Sequence, residues 1–253
     1  MLLILMYHRA VEGRYGNPAS VLRSHFQYLR ERYAIVVPGE NLKPGQLSLC
    51  LTFDDAYVDF YAYVFPLLRE FSLRAVLAVP TGFILPRTDL SLQERLSVPA
   101  EQAMQQDNFR AKVPFCTWEE IREMTGSGLV EAASHSHRHV DLTRPGVDLE
   151  SETLQSKGLL EQHLGRSIST LVYPFGRVNA RAHSFARRHY VFAMRIGAAV
   201  NTNWRPARQP LCRVGADRLP NITRLLRWDR LAGYRLKGLV NGLRSALGKW
   251  QER

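Results

Sequence analysis

Three of the eight histidines in this 253-residue chain fall within five positions, at His135, His137 and His139. Neutral imidazoles are common ligands of divalent metals. His135 and His139 are four residues apart, a spacing that in a helical turn places both side chains on one face, as in a two-histidine metal site. A metalloprotease motif would have Glu directly after the first histidine, where this chain has Ser136. The other interpretation of the cluster is a hydrogen-bonded turn without a metal.

Two adjacent carboxylates, Asp54 and Asp55, follow the nearly continuous apolar run 47–53, which is typical of a buried parallel strand. Neighbouring carboxylates repel each other unless they share a cation or a proton. An exposed acidic turn or a helix cap is the alternative interpretation. Two histidines and one carboxylate would leave open coordination positions, which a catalytic metal requires. The two segments therefore predict a catalytic metal site if the fold brings them together.

Apolar, strand-like segments alternate with helical patterns along the chain, which indicates a parallel sheet or a β/α barrel. In such folds the chemistry lies at the carboxyl ends of the strands. The Asp pair, the histidine cluster and the segment "YPFG" at 173–176 each follow a predicted strand. We therefore expect these three segments to converge on one rim. Residues 84–116 are polar and irregular, and they predict a long excursion with one short helix.

The segments "LTFDDAY", "SHSHRH" and "YPFG", in this order, resemble the motifs of the polysaccharide deacetylases of carbohydrate esterase family 4. The resemblance covers residues 1–220 and implies a distorted (β/α) barrel as the catalytic domain. Residues 221–253 lie outside the resemblance, and their own pattern predicts a basic, amphipathic helical tail. The resemblance also implies a metal-dependent hydrolase that removes N-acetyl groups from the amino sugars of a polysaccharide or its glycan precursor, in exopolysaccharide biosynthesis.

The metal ligands implied by that resemblance are Asp55, His135 and His139. The implied metal is a single divalent ion, zinc, with cobalt, nickel or iron as alternatives. Asp54 matches the general base, which takes a proton from the water that attacks the N-acetyl carbonyl. Phe175, the aromatic residue after the proline of the third motif, matches the residue whose backbone N–H binds the oxyanion. Ser136 matches a position that stabilises the loop, and His137 falls on a variable one.

The chain departs from the family pattern at three points. Leu171 stands where an arginine usually accompanies the general base, and Arg213 is a substitute candidate from another predicted strand. Ala56 replaces the usual glycine after the Asp pair. The late Leu-x-His segment that usually supplies the general acid is absent.

His8, at the end of the first apolar strand, offers a replacement for the missing acid. This arrangement resembles the poly-N-acetylglucosamine deacetylase branch, in which the strand of the acid histidine lies at the amino end by circular permutation. A general acid is needed because the departing amine must be protonated. The alternative is a buried histidine with a purely structural role.

The tail from 221 onward has apolar residues at helical spacing, with basic residues mostly on the other side. This cationic amphipathic pattern predicts peripheral contact with an anionic membrane. The alternative is a helix packed on the barrel. The apolar positions are Trp228, Ala232, Leu236, Leu239, Leu243, Ala246 and Trp250.

The net charge of +11 suits an anionic partner, but the sequence has no helix-turn-helix or zinc-finger signature, so we expect no nucleic acid. Three scattered cysteines form no disulfide pattern. The amino-terminal apolar run lacks a basic region and a cleavage site, and we interpret it as a buried strand rather than a signal peptide. These features predict a cytoplasmic protein, peripheral at the inner face of the membrane.

Two other function classes stay open on the sequence. One is a hydrolase of another linear or cyclic C–N bond on the same fold. The other is a non-catalytic module that binds polyanions or membranes. The complete set of carboxylates and histidines in the two motifs favours an enzyme over the binding module.

Overall fold

A computed structural model describes residues 1–13, 15–204 and 209–246. Its framework is a set of parallel strands, which are mostly buried except for the half-buried β2: β1 Leu2–Tyr7, β2 Ala34–Ile35, β3 Ser48–Phe53, β4 Ala75–Val79, β5 Val130–Ser134, β6 Thr170–Val172, β7 Phe192–Ile196 and β8 Leu211–Gly215. The helices between and after them are α1 Ala19–Arg32, α2 Phe65–Phe71, α3 Leu92–Leu96, α4 Ala100–Ala103, α5 Gln106–Ala111, α6 Trp118–Gly126, α7 Gln155–Leu164, α8 Ala180–His189, α9 Thr223–Leu226 and α10 Trp228–Ala246.

The sheet closes into a barrel because β1 pairs with both β3 and β8. Around the barrel the order is β1, β3, β4, β5, β6, β7, β8, and every pairing is parallel. The short strand β2 and the strand β4 pair with the same edge of β3. β2 pairs with Ser48 and Leu49, and β4 pairs from Leu51 onward. The predicted distorted (β/α) barrel with a carboxyl-terminal helix is confirmed.

Alternation along the strands separates the core into two layers. One layer lies between the strands and the helices and includes Leu3, Leu5 and Leu51. The other, which includes Ile4 and Cys50, lies inside the barrel. Successive side chains of a strand point to opposite faces, so the residues two and four positions further along stay on the inner face. Ile4 of β1 and Cys50 of β3 are therefore followed on the same inner side by His8 and Asp54, which lie just beyond the strands at the rim.

The excursion between β4 and β5 contains three short helices, α3 to α5, where the sequence predicted one. Ser91 and Glu94 form a capping box at the start of α3, which defines a helix of only five residues. Phe109 and Phe115 join the core through Phe83, with ring centroids 5.3 and 5.4 Å away. The excursion therefore packs against the rim of the barrel instead of extending away from it.

The division at residue 220 stays a prediction. Helices α9 and α10 follow the last strand, and Leu226, Leu231 and Tyr234 pack against the core of the barrel. No helix in the described ranges is long and apolar enough to cross a membrane. Trp250, which the sequence placed in the apolar pattern of the tail, lies outside the described residues.

Candidate active site

The carboxyl ends of four strands bring the predicted site residues to one rim of the barrel. Asp54 and Asp55 follow β3, the histidine loop follows β5, Phe175 follows β6, and His8 follows β1. Parallel strands end at the same edge of a sheet, which is why motifs far apart in the sequence meet here.

The predicted metal ligands form one compact cluster. Oδ1 of Asp55 lies 3.5 Å from Nε2 of His135 and 3.3 Å from Nε2 of His139. One ligand atom from each residue lies within 4.8 Å of the other two. The buried Oδ1 of Asp55 accepts no hydrogen bond from the part of the chain that the structure describes. A buried acceptor facing two imidazole nitrogens fits a divalent cation.

The neighbours of these ligands set their protonation. Nδ1 of His135 lies 2.8 Å from the carbonyl oxygen of Val172 at the end of β6 and donates to it, which leaves the Nε2 lone pair directed at Asp55. Burial lowers the pKa of His139 to about 4, so this imidazole is neutral at pH 7. Burial would raise the pKa of Asp55, but hydrogen bonding with His135 and the charges of the neighbouring histidines, with His8 among them, hold it below its ordinary value. An ionised Asp55 and a neutral His139 are in the form that binds a metal.

Several of these residues adopt the left-handed backbone conformation, in which φ is positive. The φ of Asp55 is 71°, that of Ala56 is 52° and that of His139 is 54°. For residues with a Cβ this conformation costs about 1–2 kcal/mol each. Ala56 stands where the family usually has glycine, which adopts a positive φ without that cost. Such strain concentrates at functional sites, where surrounding contacts hold it in place.

Asp54 is held by a buried arginine from β8. Nη1 and Nη2 of Arg213 donate to Oδ1 and Oδ2 of Asp54 at 2.6 and 2.8 Å, and Nη1 also donates to Oγ1 of Thr52 at 3.1 Å. Arg213 is 0% exposed. Burial would raise the pKa of Asp54, but the guanidinium holds it below its ordinary value, so the carboxylate stays ionised. Leu171, at the usual arginine position, is a buried residue of β6 paired with Ser134.

His8 has a partner that the sequence did not reveal, Asp217. Oδ2 of Asp217 lies 2.6 Å from Nδ1 of His8, and its Oδ1 accepts from the His8 backbone N–H at 3.0 Å. Nε2 of His8 lies 3.8 Å from Oδ2 of Asp54, so the imidazole faces the predicted general base, which is adjacent to the predicted ligand Asp55. Burial lowers the pKa of His8, but Asp217, Asp54 and Asp55 raise it more, to about 9. The available signal was an acidic residue just beyond a predicted strand end, in "LCRVGAD".

Phe175 lies on the rim beside the metal cluster. It is in a left-handed conformation, with φ 59°, inside the turn Pro174–Gly176 that follows β6. Its ring centroid is 4.7 Å from that of His139, and the side chain is 55% exposed. The turn therefore places the backbone of Phe175 next to a predicted ligand, and its side chain faces solvent over the site.

His137 points away from the metal cluster, to the turn after β4. Its Nδ1 lies 3.0 Å from Oγ1 of Thr81, and its backbone carbonyl accepts from the N–H of Gly82 at 2.7 Å. Ser136 is buried in a left-handed conformation, with φ 62°, and its carbonyl accepts from the Thr81 N–H at 3.3 Å. The middle histidine thus helps to anchor the loop that carries the other two.

Comparisons with known proteins identify the family and relatives of this chain. Residues 41–192 match the family model described as polysaccharide deacetylase. The chain is 34% identical over 126 residues to the poly-beta-1,6-N-acetyl-D-glucosamine N-deacetylase of Escherichia coli (strain K12). That match covers 46% of this chain and 17% of the E. coli protein, so the chain corresponds to a small part of its relative.

Solved structures share the fold over nearly the whole chain. The Streptococcus pyogenes deacetylase PplD, solved with acetate, has a TM-score of 0.68 and 22% identity, and the match covers 89% of this chain and 96% of that one. IcaB from Ammonifex degensii has a TM-score of 0.67 and 21% identity, covering 92% and 96%. The family model spans more than half of the 253 residues, and the chain therefore belongs to the polysaccharide deacetylase family.

Proposed function

We propose that this chain is a metal-dependent N-deacetylase of glycans that contain N-acetylated amino sugars. One observation carries the proposal: a base held by an arginine, an acid held by an aspartate and a metal-binding cluster share one rim. The E. coli relative is named for its activity on poly-β-1,6-N-acetyl-D-glucosamine, which supports a polymer of N-acetylglucosamine as the substrate class.

The residues of the rim divide the reaction between them. Asp54, ionised beside Arg213, takes a proton from the water that adds to the N-acetyl carbonyl. The backbone N–H of Phe175 donates to the oxygen that becomes negative. His8, protonated beside Asp217, gives its proton to the amine nitrogen as the C–N bond breaks. The products are acetate, whose new oxygen comes from water, and the free amino sugar.

Asp55, His135 and His139 would hold the divalent ion, for which we propose zinc. Such an ion supplies Lewis acidity, which polarises a carbonyl and makes water a nucleophile near neutral pH. Cobalt, nickel or iron would fit the same donor set of one oxygen and two nitrogens. Elemental analysis of the purified protein distinguishes them.

Acetate release from β-1,6-linked N-acetylglucosamine oligomers tests the function. We expect His135→Ala to lose both the metal and turnover, and Asp54→Asn to keep the metal but lose roughly 10²-fold or more in rate. His189→Ala, at the end of α8 and outside the rim, is the control histidine variant, and it should keep the metal. Hydrolysis of a formamide or a cyclic ureide without acetate release would instead favour a hydrolase of another C–N bond. A His135→Ala protein that is active and contains a full equivalent of metal would contradict the metal site.

We also propose peripheral contact between α10 and an anionic membrane. One face of the helix packs on the barrel: Leu231 and Tyr234 join the core, and a Cβ on Gly238 would lie 2.8 Å from the carbonyl oxygen of Val200. Another face is apolar and uncovered by the described part of the chain. Its residues Trp228, Leu236, Leu239 and Leu243 are between 64% and 81% exposed.

Charge favours a lipid surface over a second copy of the chain as the partner of this face. The protein has a net charge of +11, so two copies repel each other, whereas anionic headgroups attract them. The sequence of the helix contains four basic residues, Arg230, Arg235, Lys237 and Arg244, against the single acidic residue Asp229. The cytoplasmic location expected from the sequence stays a prediction.

A further inference from the structure

Two segments of the rim serve the same N-acetyl carbonyl in the proposed reaction. The histidine loop carries the predicted ligand His139, and the turn after β6 carries Phe175, whose backbone N–H is the predicted oxyanion donor. Such groups stabilise the developing charge only when they lie close enough to one oxygen atom. A displacement of about 1 Å between them lowers the rate steeply. The separation of the two segments therefore has to be fixed.

The backbone of both residues is in the left-handed conformation. The φ of His139 is 54° and that of Phe175 is 59°. Residues with a Cβ hold this conformation only where surrounding contacts stabilise it. The turn that carries Phe175 is fixed on one side by β7, because a Cβ on Gly176 would lie 2.5 Å from Cγ1 of Ile196. A further contact of this turn is with the segment that follows His139.

An ion pair joins the two segments. Nη1 of Arg177 donates to Oδ2 of Asp141 at 2.7 Å. Arg177 lies two residues after Phe175, and Asp141 lies two residues after His139. The side chain of Asp141 is 5% exposed, whereas that of Arg177 is 47% exposed. A charge-assisted hydrogen bond with one buried partner is short and directional, so it constrains the distance between the segments that it joins.

The loop that contains Asp141 holds its carboxylate in place. Oδ1 accepts from the backbone N–H of Thr143 at 3.0 Å and from its Oγ1 at 2.6 Å. A carboxylate with a fixed orientation is a preorganised acceptor for Arg177. Nε of Arg144 also lies 3.9 Å from Oδ2, but this side chain is 72% exposed. Arg144 belongs to the same loop as Asp141, so it does not join the two segments.

Two further hydrogen bonds connect the same stretches of chain. Nδ2 of Asn179 donates to the carbonyl of Thr143 at 3.2 Å, and Nη2 of Arg181 donates to the carbonyl of Val147 at 2.7 Å. Asn179 is also the N-cap of α8, so the start of this helix is docked on the loop that follows the histidines. Of these contacts, the ion pair is the nearest in sequence to the ligand and to the oxyanion donor.

From these contacts we infer that Asp141 and Arg177 are positioning residues, which set the separation of the ligand His139 from the N–H of Phe175. The inference rests on the proposed deacetylase function and adds a pair that acts through both groups. A purely structural pair would change the melting temperature and leave kcat as it is. A pair that positions catalytic groups changes kcat more than KM, because the contacts of these groups strengthen in the transition state.

Acetate release from a β-1,6-linked N-acetylglucosamine tetramer tests the inference. Arg177→Met, which keeps a long side chain but removes the charge, should lower kcat about tenfold and leave KM within about twofold. Arg177→Lys, which restores the positive charge, should recover most of the lost rate. Arg144→Met is the matched control, since it removes a cation beside the same carboxylate without breaking the link, and it should keep kcat. Full kcat in Arg177→Met, a loss confined to KM, or an equal loss in Arg144→Met would overturn the inference.

The pair also predicts energetic coupling and an effect that does not depend on turnover. Adding Asp141→Asn to Arg177→Met should cause no further loss of kcat, because each change alone breaks the same contact. Asp141→Asn should weaken zinc binding about threefold or more in a chelator competition, since it loosens the loop that carries His139. Losses of kcat that add in the double variant, or unchanged zinc affinity in Asp141→Asn, would contradict the positioning role. Absence of acetate release by the unmodified protein would instead refute the deacetylase function, and the zinc competition would still test the pair.

Discussion

Two buried or half-buried ion pairs define the chemistry at the residue scale. Arg213 keeps Asp54 ionised, and Asp217 keeps His8 protonated. The pKa of Asp54 is held below its ordinary value, and that of His8 is raised to about 9. Because the pKa of Asp54 is lowered and that of His8 is raised, Asp54 is an ionised base and His8 a protonated acid at the same pH. Arg213 and Asp217 are positioning residues, since they act through the groups that react.

The pKa of His8 leads to a prediction about pH dependence. The protonated form donates, so activity should fall as pH rises through the pKa of His8. Asp217→Asn removes a hydrogen bond and a charge that raise this pKa, while Asp54 and Asp55 remain. We therefore expect the alkaline limb of the kcat/KM profile to move to lower pH. His8→Ala should lose about 10²- to 10⁴-fold in rate and flatten that limb.

Asp229→Asn, on the exposed start of α10, is the control for the loss of one carboxylate. Its alkaline limb should match that of the unmodified protein. An unchanged alkaline limb in both His8→Ala and Asp217→Asn would mean that another group protonates the amine.

At the scale of elements, the histidine loop is positioned by the two segments on either side of it. The turn Thr81–Phe83 after β4 bonds to the backbone of Ser136 and His137. The carbonyl of Glu152 accepts from the His137 N–H at 2.7 Å, and its carboxylate accepts from the Arg138 N–H at 2.9 Å. These contacts hold the left-handed residues that direct both ligand imidazoles at Asp55.

Gly82 makes the closest of these backbone contacts, and a substitution there tests whether the contact positions the ligands. A Cβ there would lie 2.7 Å from the carbonyl oxygen of His137, a backbone atom, so Gly82→Ala must displace the loop. Overpacking of this kind costs about 1–3 kcal/mol. We expect weaker metal binding in a chelator competition and a lower melting temperature. Gly126→Ala is the matched control, because its Cβ would meet no atom within 4 Å. Unchanged metal affinity in Gly82→Ala would show that this contact does not position the ligands.

At the scale of the whole molecule, closure of the barrel through β1 joins the first and last strands at the site. β1 lies between β3 and β8 in the barrel. His8, which follows the first strand, therefore contacts Asp217, which follows the last strand. Helix α10 then covers part of the outer surface. The carbonyl of Tyr234 accepts from the Val200 N–H at 3.2 Å, and Nδ2 of Asn241 donates to Sγ of Cys212 at 3.7 Å. These contacts fix which face of the helix is turned outward.

That outward face carries the prediction for membrane binding. Leu239→Glu with Leu243→Glu replaces exposed leucines by carboxylates without touching the packed face. We expect about tenfold or greater loss of co-sedimentation with vesicles containing phosphatidylglycerol, because both apolar area and charge attraction are reduced. Acetate release from soluble oligomers should be unaffected. Added salt should weaken binding of the unmodified protein.

Leu92→Glu changes an exposed leucine on α3 and serves as the control. It should bind vesicles like the unmodified protein. Equal vesicle binding by the double variant, or a solution dimer that dissociates only in that variant, would contradict the membrane assignment.

The alternation of strands and helices in the sequence predicted a parallel sheet or a β/α barrel, and the resemblance of its motifs to a family selected the barrel and the three candidate metal ligands. Buried strands leave continuous apolar runs, and a polar residue placed directly after such a run must lie at a strand end. Asp54, Asp55 and the histidine pair could therefore be assigned to one rim from the amino-acid sequence alone. The amphipathic period also predicted the tail helix, although not which of its faces would be covered.

Only the tertiary structure decided what holds the acid and the base. Arg213 and Asp54 are 159 residues apart in the chain, and His8 and Asp217 are 209 apart. No local pattern links such positions. They meet because β1 pairs with both β3 and β8, and because inner-face alternation directs Arg213 into the barrel below the rim. Such contacts depend on which strands are neighbours in the closed barrel. The packing of the complete barrel determines that, and no local segment does.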